Sequence, residues 1–373
     1  MLATPAYATD DIPPPPGNYY QISGSETGSY ESNPLKIAHG ATPLWGSTTT
    51  PELILQKDDG SAKCNLDTSV AENIYDHSAF DSTDVHSKAI ADIQNERWDA
   101  GLTARLDYDT TRSSELTTFG LDLPDVRRFA IGATPDVGYH ISPLDTVTLA
   151  ATANRITYDN AAFIDYDVLS LNPSMSHQIS PTDSIILTVN AQRYQTAGGP
   201  SNIVDTIGPT LGWKSTPTPR FTSTITAGFE HSAQTNNTQA ESSNLNYVFS
   251  AELAYTDETD SGNLTATRSH QPFSNGTETL LNRITANATH GLTPLLALHI
   301  NADYADAQYN PTANVNLNHE AGSGLELIYH MLDTLDATAG YRYSSQDLSH
   351  VSGTIADQSV LVGMRYHPLN STL

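Results

Sequence analysis

Residues 98–109 read WDAGLTARLDYD and alternate strictly between apolar and polar side chains. The apolar positions are Trp98, Ala100, Leu102, Ala104, Leu106 and Tyr108. A period of two is typical of a β-strand with one apolar face and one water-facing side. The same alternation returns over 129–141, over 247–255 and along most of the remaining chain. A long series of such strands, with no helix to cover them, predicts an all-β fold: a transmembrane antiparallel up-and-down β-barrel.

The composition fits strands that contact lipid on one side and water on the other. Only 38% of the 373 residues are hydrophobic and the mean hydropathy is -0.36, yet there are 18 tyrosines. The richest apolar run, residues 294–300, is far shorter than the roughly 20 residues that a spanning helix needs. A net charge of -25, with 17 scattered Lys and Arg, excludes a nucleic-acid partner. The single cysteine, Cys64, permits no internal disulfide and no cysteine-based metal site.

Residues 1–18 are predicted to lie outside the barrel, which takes residues 19–373. The tripeptide AYA at 6–8, before Thr9, has the small-x-small form of a signal-peptidase site, without the basic and apolar regions that normally precede one. We interpret it as the remnant of a secretory signal, and an ordinary flexible terminus is the alternative. The four prolines at 13–16 predict an extended periplasmic spacer. We expect the mature protein, isolated from outer membranes, to begin at Thr9.

An internal repeat marks the hairpins. ISPLDTVTLAATANR at 141–155 returns as ISPTDSIILTVNAQR at 179–193, an offset of 38 residues. In each copy a strand ends at Ile and the chain reverses over Ser-Pro-x-Asp, because proline presets the turn dihedral and Asp bonds the backbone beyond it. Such short turns alternate along the chain with longer polar connections. Outer-membrane barrels show this asymmetry between periplasmic turns and extracellular loops.

Counting strands between these turns gives 18, an even number that leaves both termini in the periplasm. The first three are the least well defined, and sixteen strands is the alternative. The predicted ranges are 19–30, 49–57, 62–73, 83–94, 98–109, 127–141, 145–158, 165–179, 183–195, 202–214, 219–231, 244–256, 261–270, 278–290, 295–307, 317–330, 335–345 and 356–367.

Aromatic residues fall near both ends of the predicted strands. Those near the long loops are Tyr108, Tyr158, Tyr194, Phe229, Tyr304 and Tyr343. Those near the short turns are Tyr139, Trp213, Tyr255, Tyr329 and Tyr366. We expect them to form two girdles at the two membrane interfaces.

The alternation also predicts which charged side chains line the lumen. The predicted pore-lining residues are Arg105, Arg128, Arg283, Arg342, Arg365, Asp99, Asp107, Asp136, Glu252 and Asp336. Opposed charges create a transverse field that sorts solutes by charge, and the alternative is that they pair with one another and brace the wall. Arg155 and Arg193 lie where the apolar alternation shifts. Either a bulge turns both inward, or both reach the lipid interface.

Nothing in the sequence supports an enzyme. The 13 histidines are dispersed, and neither Gly-x-Ser-x-Gly nor His-Glu-x-x-His occurs. The acidic stretch at 257–260 lacks the ligand spacing of a calcium loop and predicts a solvated turn. We therefore predict no catalytic residues, no cofactor and no metal.

Three segments carry a resemblance to a known family: YESNPL at 30–35, the Ser-Pro-x-Asp hairpins, and SVLVGMRYH at 359–367. With them the chain resembles the β-barrel porin 2 family, whose members often accompany exopolysaccharide biosynthesis genes in Gram-negative bacteria. The resemblance covers nearly the whole chain. The end of the chain departs from the family pattern. Such chains usually end on an aromatic residue, whereas here Tyr366 and His367 are followed by Pro368 and LNSTL. Either the C-terminal assembly signal is weakened, or Tyr366 takes the aromatic role.

The resemblance implies a channel in the bacterial outer membrane that helps to export exopolysaccharide or another polar polymer. The implied partners are the lipid bilayer with lipopolysaccharide, the barrel assembly machinery, a polysaccharide chain and periplasmic export proteins. A general diffusion porin for small solutes is one alternative. A non-conducting structural barrel that anchors partners through its surface loops is the other. Long loops that fold into the lumen favour a narrow or plugged barrel, whereas a wide open lumen favours polymer passage.

Overall fold

The computed structural model describes residues 18–37, 39–114, 126–161, 163–197, 202–236, 239–272, 278–307, 317–348, 353–368 and 371–372. The N-terminal segment predicted as a signal remnant and spacer lies outside these residues, apart from Asn18. Eighteen long antiparallel strands make up the fold. They are β1 (Tyr19–Glu31), β2 (Leu44–Asp58), β3 (Ala62–Tyr75), β4 (Ser82–Gln94), β5 (Trp98–Thr110), β6 (Arg127–His140), β7 (Asp145–Tyr158), β8 (Asp165–Gln178), β9 (Asp183–Ala197), β10 (Asn202–Thr218), β11 (Phe221–Asn236), β12 (Gln239–Thr256), β13 (Asp260–Pro272), β14 (Glu278–Thr293), β15 (Leu296–Ala307), β16 (Leu317–Leu332), β17 (Leu335–Leu348) and β18 (Ile355–Tyr366).

The strands form one closed barrel. Each pairs with its neighbour in sequence, and β18 pairs with β1 from Gly24 opposite Tyr366 to Glu31 opposite Ser359. Closure lets every strand pair on both sides, which a bilayer demands because it offers the backbone no water. The predicted count of 18 is confirmed. Beyond Pro368 the chain pairs once more with β1 through a two-residue strand, Ser371–Thr372.

Only two short helical segments appear among the described residues. They are a 3-10 turn at Ser78–Phe80 and the helix α1 at Thr111–Ser114. No helix in the described part of the chain is long and apolar enough to cross a membrane.

The two copies of the Ser-Pro-x-Asp turn adopt the same geometry. Ser142 Oγ donates to Asp145 Oδ2 at 2.5 Å, and Ser180 Oγ donates to Asp183 Oδ2 at 2.6 Å. In both turns the backbone N–H of the preceding isoleucine also donates to the carbonyl of that Asp, at 2.9 Å. Serine therefore closes the turn together with the aspartate, which explains why the motif returns intact.

A belt of exposed apolar side chains surrounds the barrel. Leu102, Leu149 and Leu187 are all exposed, whereas the threonine beside each lies on the opposite face. Most of the predicted girdle residues are also exposed: Tyr108, Phe229, Tyr304 and Tyr343 near the loops, and Tyr139, Trp213, Tyr255, Tyr329 and Tyr366 near the turns. An apolar outer belt with aromatic rims is the surface that a bilayer covers.

The girdle prediction is wrong for Tyr158 and Tyr194. Both face the interior, where Tyr194 is fully buried and Tyr158 packs against its cluster. The buried members of that cluster are Ala130, Ile156, Tyr166, Val168, Tyr194 and Val204. Near the long loops, the inner face of β6–β10 therefore carries an apolar cluster, whereas nearer the turns the inner face is polar.

The proposed bulge at Arg155 and Arg193 is also wrong. The ladders run without interruption around both arginines, which share the outer face with Leu149 and Leu187. Arg193 binds Asp205 through two hydrogen bonds of 2.7 and 2.9 Å, and Arg155 lies 4.0 Å from Asp167. Because the apolar belt ends here, the outer face carries ion pairs. The apolar side chains move from the outer face of the strand to its inner face at this point, which shifts the alternation in the sequence. The backbone pairing of the strands stays regular.

Candidate functional site

The sequence predicts ten charged side chains that line the lumen, and the structure gives the position of each on its strand. Along its strand, each of the ten points to the face opposite the exposed apolar side chains. Arg342, for example, lies between the exposed Tyr341 and Tyr343. They are Arg105, Arg128, Arg283, Arg342, Arg365, Asp99, Asp107, Asp136, Glu252 and Asp336. They do not converge on one point. One group lies toward the long loops and the other toward the short turns.

Toward the long loops, the cations and carboxylates are closely paired. Arg128 donates from Nε and Nη2 to the two carboxylate oxygens of Asp109, at 2.9 and 2.8 Å, and both side chains are buried. Asp107 lies 2.8 Å from His86 Nδ1 and 3.7 Å from Nε of the half-exposed Arg105. A bidentate, buried pair has fixed geometry. Arg128 therefore braces the wall, whereas Arg105 keeps much of its surface open to the lumen.

Toward the short turns, histidines accompany the carboxylates. Asp336 is buried, with His330 Nδ1 at 2.7 Å and His367 Nε2 at 3.1 Å. Arg365 is its register partner on β18. This arrangement joins β16, β17 and the residue that follows β18 at the short-turn end of the barrel.

Two glycines make room for two of the predicted acids. Asp99 lies opposite Gly138, and Asp136 opposite Gly101, on the paired strands β5 and β6. A Cβ atom placed on Gly101 would lie 2.4 Å from Asp136 Oδ1, and one on Gly138 would lie 2.4 Å from Asp99 Oδ2. The glycines thus let both carboxylates lie flat against the wall. Asp99 is also 3.1 Å from His140 Nε2.

Segments outside the predicted strands add charges that sequence reasoning missed. Lys36, in the connection between β1 and β2, places its Nζ 2.7 Å from Oε1 of the buried Glu320. Arg112, in α1, lies 3.5 Å from Glu31 and over the ring of Tyr75 at 4.4 Å. Each contact joins a loop residue to the inner face of a strand remote in sequence, so no local pattern reveals it.

The seam between β12 and β13 is incomplete. The two strands pair only from Thr256 opposite Ser261 to Phe249 opposite Arg268, although β12 continues along β11 far beyond this point. The ends of β13 and β14 remain paired with each other up to Pro272 opposite Glu278. We call residues 269–272 and 278–280, which form this free end, the inner hairpin.

Arg268 seals the point where the seam opens. Its Nε donates to the carbonyl of Tyr247 at 3.1 Å, and its Nη1 donates to Asn282 Oδ1 at 2.7 Å. The guanidinium also lies 4.1 Å from the centre of the Tyr247 ring. A backbone carbonyl at the end of a ladder must find another donor, because a buried unsatisfied group is costly. The buried Arg268 supplies it.

The inner hairpin packs against the inner faces of β9 and β10, about a quarter of the way around the wall. Glu278 Oε1 accepts a hydrogen bond of 2.7 Å from Gln192 Nε2 on β9, and Oε2 accepts one of 3.4 Å from Thr206 on β10. Both partners lie on the inner face of their strands, next to the buried Tyr194 and Val204. Since β11 and β12 lie between β10 and β13 in the wall, the hairpin must pass beneath them. It therefore lies inside the barrel, near the long loops.

No three His, Cys, Asp or Glu side chains converge to hold a metal ion within the described residues. The charges of the lumen instead pair with one another or face its open space.

Several solved structures share this architecture. OccK2 (OpdF) of Pseudomonas aeruginosa aligns with 95% of this chain and 100% of its own, at 11% identity and a TM-score of 0.50. OccK11 (OpdR) of the same organism is 11% identical. The alignment covers 95% of this chain and 98% of OccK11, with a TM-score of 0.46. The outer-membrane channel DcaP of Acinetobacter baumannii is 11% identical. The alignment covers 94% of this chain and 98% of DcaP, with a TM-score of 0.45.

The chain matches no protein-family model and no curated protein, so membership of the porin 2 family is unconfirmed. At these identities, the structural likeness establishes the fold alone. Together with the apolar belt, it identifies the chain as an 18-strand outer-membrane β-barrel of the kind found in Gram-negative bacteria.

Proposed function

We propose that this barrel is a passive channel for small polar solutes, with a mixed-charge lumen narrowed near its extracellular end. The observation that carries the proposal is the contact between Glu278 on β14 and Gln192 on β9, which holds the inner hairpin inside the barrel. Lys36 and Arg112 also reach inward from segments beyond the strand ends. Inward segments at the outer mouth favour a narrow pore over a wide one.

The charges suggest what such a pore selects. Arg105 and Glu252 are both exposed on inner faces, and Arg283 and Arg342 lie near the carboxylates of Glu320 and Glu31. Opposed charges across a hydrated passage orient a solute that carries dipoles or charges of both signs. The proposal is therefore a diffusion porin for small polar molecules, and the narrowing argues against export of a bulky polymer.

Planar-bilayer recordings test the proposal. We expect the wild-type protein to give discrete channels that exclude neutral polymers well below the size of a polysaccharide chain. Glu278→Ala removes the acceptor that holds the inner hairpin, so its channels should be larger and admit larger polymers. Glu252→Ala is the matched control, because it removes an exposed lumenal carboxylate that does not hold the hairpin; its size cut-off should match the wild type.

Two outcomes would contradict the proposal. A wide wild-type pore that passes long polymers would favour polymer export. Folded protein that gives no conductance, in both the wild type and Glu278→Ala, would favour a structural barrel.

A further inference from the structure

The inward position of the β13–β14 hairpin leaves one edge of β12 without a strand partner. Beyond Phe249, β12 continues along β11 as far as Gln239, but no described residue pairs with its other edge. Exposed edges are normally short, charged or covered, because their backbone donors and acceptors pair with any other strand. Residues 243–248 of β12 carry no charge and no proline, and Leu245 and Tyr247 are exposed on their outer face. We call residues 243–248 the open edge.

The inner hairpin has the register to pair with the open edge. The existing ladder between β12 and β13 ends at Phe249 opposite Arg268. Continued in the same register, it would place residues 248, 247, 246 and 245 opposite residues 269, 270, 271 and 272. β13 is already a strand as far as Pro272, where it pairs with Glu278 of β14. The hairpin therefore needs to bend only next to Arg268 to change from one partner to the other.

Arg268 takes the place of a backbone donor at the end of the seam. The carbonyl of Tyr247 points toward β13, where it accepts a hydrogen bond of 3.1 Å from Arg268 Nε. In an antiparallel ladder, hydrogen-bonded and non-hydrogen-bonded pairs alternate. Tyr247 and His270 would thus form a hydrogen-bonded pair in the extended ladder, and the His270 N–H would bond the same carbonyl. The seam can close without leaving this carbonyl unsatisfied.

The inner position satisfies Glu278 but leaves two nearby polar atoms unpaired. Among the described residues, His270 Nε2 and Thr279 Oγ1 are buried without a hydrogen-bond partner. Such atoms are costly, because burial removes the water that would bind them. In the wall both would lie beyond Asn282 and Asp306, where the outer face is already polar, and they would reach water. Each position of the hairpin thus has a gain that the other lacks.

We propose that the inner hairpin is a gate that exchanges between two partners, the inner faces of β9 and β10 and the open edge of β12. Bound to β9 and β10, it lies inside the barrel and the pore is narrow. Paired with β12, it completes the wall and leaves the interior, and the pore is wide. The inference rests on the narrow channel proposed above, and it adds the place to which the hairpin moves when the channel widens.

A disulfide across the open edge tests whether the hairpin reaches β12. In a Cys64→Ser background, Asn246→Cys with Gln271→Cys places two thiols at a pair that exists only in the extended ladder. The Cα atoms of such a non-hydrogen-bonded pair lie about 4.5 Å apart, within the range of roughly 4.4–6.8 Å that disulfides span. We expect mild oxidation of the protein in outer-membrane vesicles to form this disulfide, measured as the loss of both free thiols.

Ser250→Cys with Thr267→Cys is the matched control, because these residues already face each other in the same ladder, four residues before the tested pair on each strand. Its disulfide should form and leave the channel unchanged. In planar bilayers, the disulfide between positions 246 and 271 should hold the channel at a larger single-channel current and admit larger polymers. Reduction should restore the current of the wild type.

Two results overturn the gate. One is a control disulfide that forms while the disulfide between positions 246 and 271 does not, because the hairpin then does not reach β12. The other is a disulfide between positions 246 and 271 that leaves the current unchanged, because the movement then does not control the pore. Migration of unheated samples on gels confirms that each variant is folded.

Failure of the gate and failure of the narrow channel are separate results. Absence of current in the wild type and in every variant would contradict the channel, while the loss of thiols would still decide whether the hairpin pairs with β12. A narrow wild-type channel whose hairpin never forms the disulfide would keep the proposed function and overturn the gate.

Discussion

The side-chain amide of Gln192 donates a 2.7 Å hydrogen bond to Glu278, a residue 86 positions away and on the far side of four intervening strands. This contact joins the inner hairpin to the inner face of β9. In a barrel whose hairpins all stayed in the wall, β9 and β14 would not touch. The contact therefore shows that the end of the β13–β14 hairpin has left the wall and lies inside the barrel. We expect the permeability of the barrel to depend on it.

The first prediction concerns the strength of that contact. Gln192→Glu replaces the donor with a second acceptor and leaves Glu278 facing a like charge. Losing one buried hydrogen-bond partner costs about 1–3 kcal/mol, so the inner hairpin should detach more often and single-channel current should become larger and noisier. Gln195→Glu is the control, because Gln195 is exposed on the outer face of the same strand. Identical currents in all three proteins would show that the hairpin does not limit the pore.

The second prediction concerns the seal at the open seam. Arg268→Ala leaves the Tyr247 carbonyl and Asn282 without the guanidinium that bonds both. We expect a loss of about 1–3 kcal/mol in stability, measured as a lower temperature at which the barrel unfolds in detergent. Arg268→Lys should recover little, because an ammonium is not a planar fork that bonds both groups. Arg220→Ala, at an exposed turn arginine paired with Asp257, should change the unfolding temperature much less.

The third prediction compares adjacent residues on opposite faces of β9. Leu187 is half exposed on the outer belt and Thr188 lies on the inner face. Leu187→Arg should lower folding stability by roughly 2–4 kcal/mol near the bilayer midplane, and Thr188→Arg should cost much less. Single cysteines at the two positions, in a Cys64→Ser background, provide a direct measurement. Equal labelling by a membrane-impermeant reagent at both sites would contradict the assignment of the two faces.

The fourth prediction concerns ion selectivity. Neutralising Arg283 and Arg342 together to Gln removes two cations from the inner face and leaves the nearby carboxylates of Glu320 and Glu31 in place. Reversal potentials in a salt gradient should therefore shift toward cation selectivity. Arg193→Gln removes an arginine from the outer face and should leave the reversal potential unchanged. An unchanged potential in the double variant would mean that the two arginines only brace the wall.

Periodicity predicted much of this fold because it is a local property. Residues 98–109 display the two-residue period, and the Ser-Pro-x-Asp repeat marks where strands reverse. Barrel strands pair mainly with their neighbours in sequence, so correct local assignments add up to the correct architecture. The first three strands were the least well defined from the sequence. Their outer faces carry Glu26, Thr49 and Glu72, which weakens the apolar alternation on which the assignment depends.

The same reasoning assigned Tyr158 and Tyr194 to the wrong face. Alternation divides a strand into two faces, but it does not say which face meets lipid once the strand leaves the apolar belt. At the long-loop end of β7 and β9, Arg155 and Arg193 face outward and the tyrosines pack inward. Polarity has exchanged between the faces while the backbone stays regular.

By itself, then, the sequence determined the strand number, the turns and the alternating faces, because each depends on residues within one strand or one hairpin. Tertiary structure decided the inner hairpin, the seal at Arg268 and the pairing of Lys36 with Glu320. These contacts join residues far apart in the chain, and they depend on how the closed wall curves and where its seam opens. The width of the lumen is a property of that assembled geometry, and no periodic pattern encodes it.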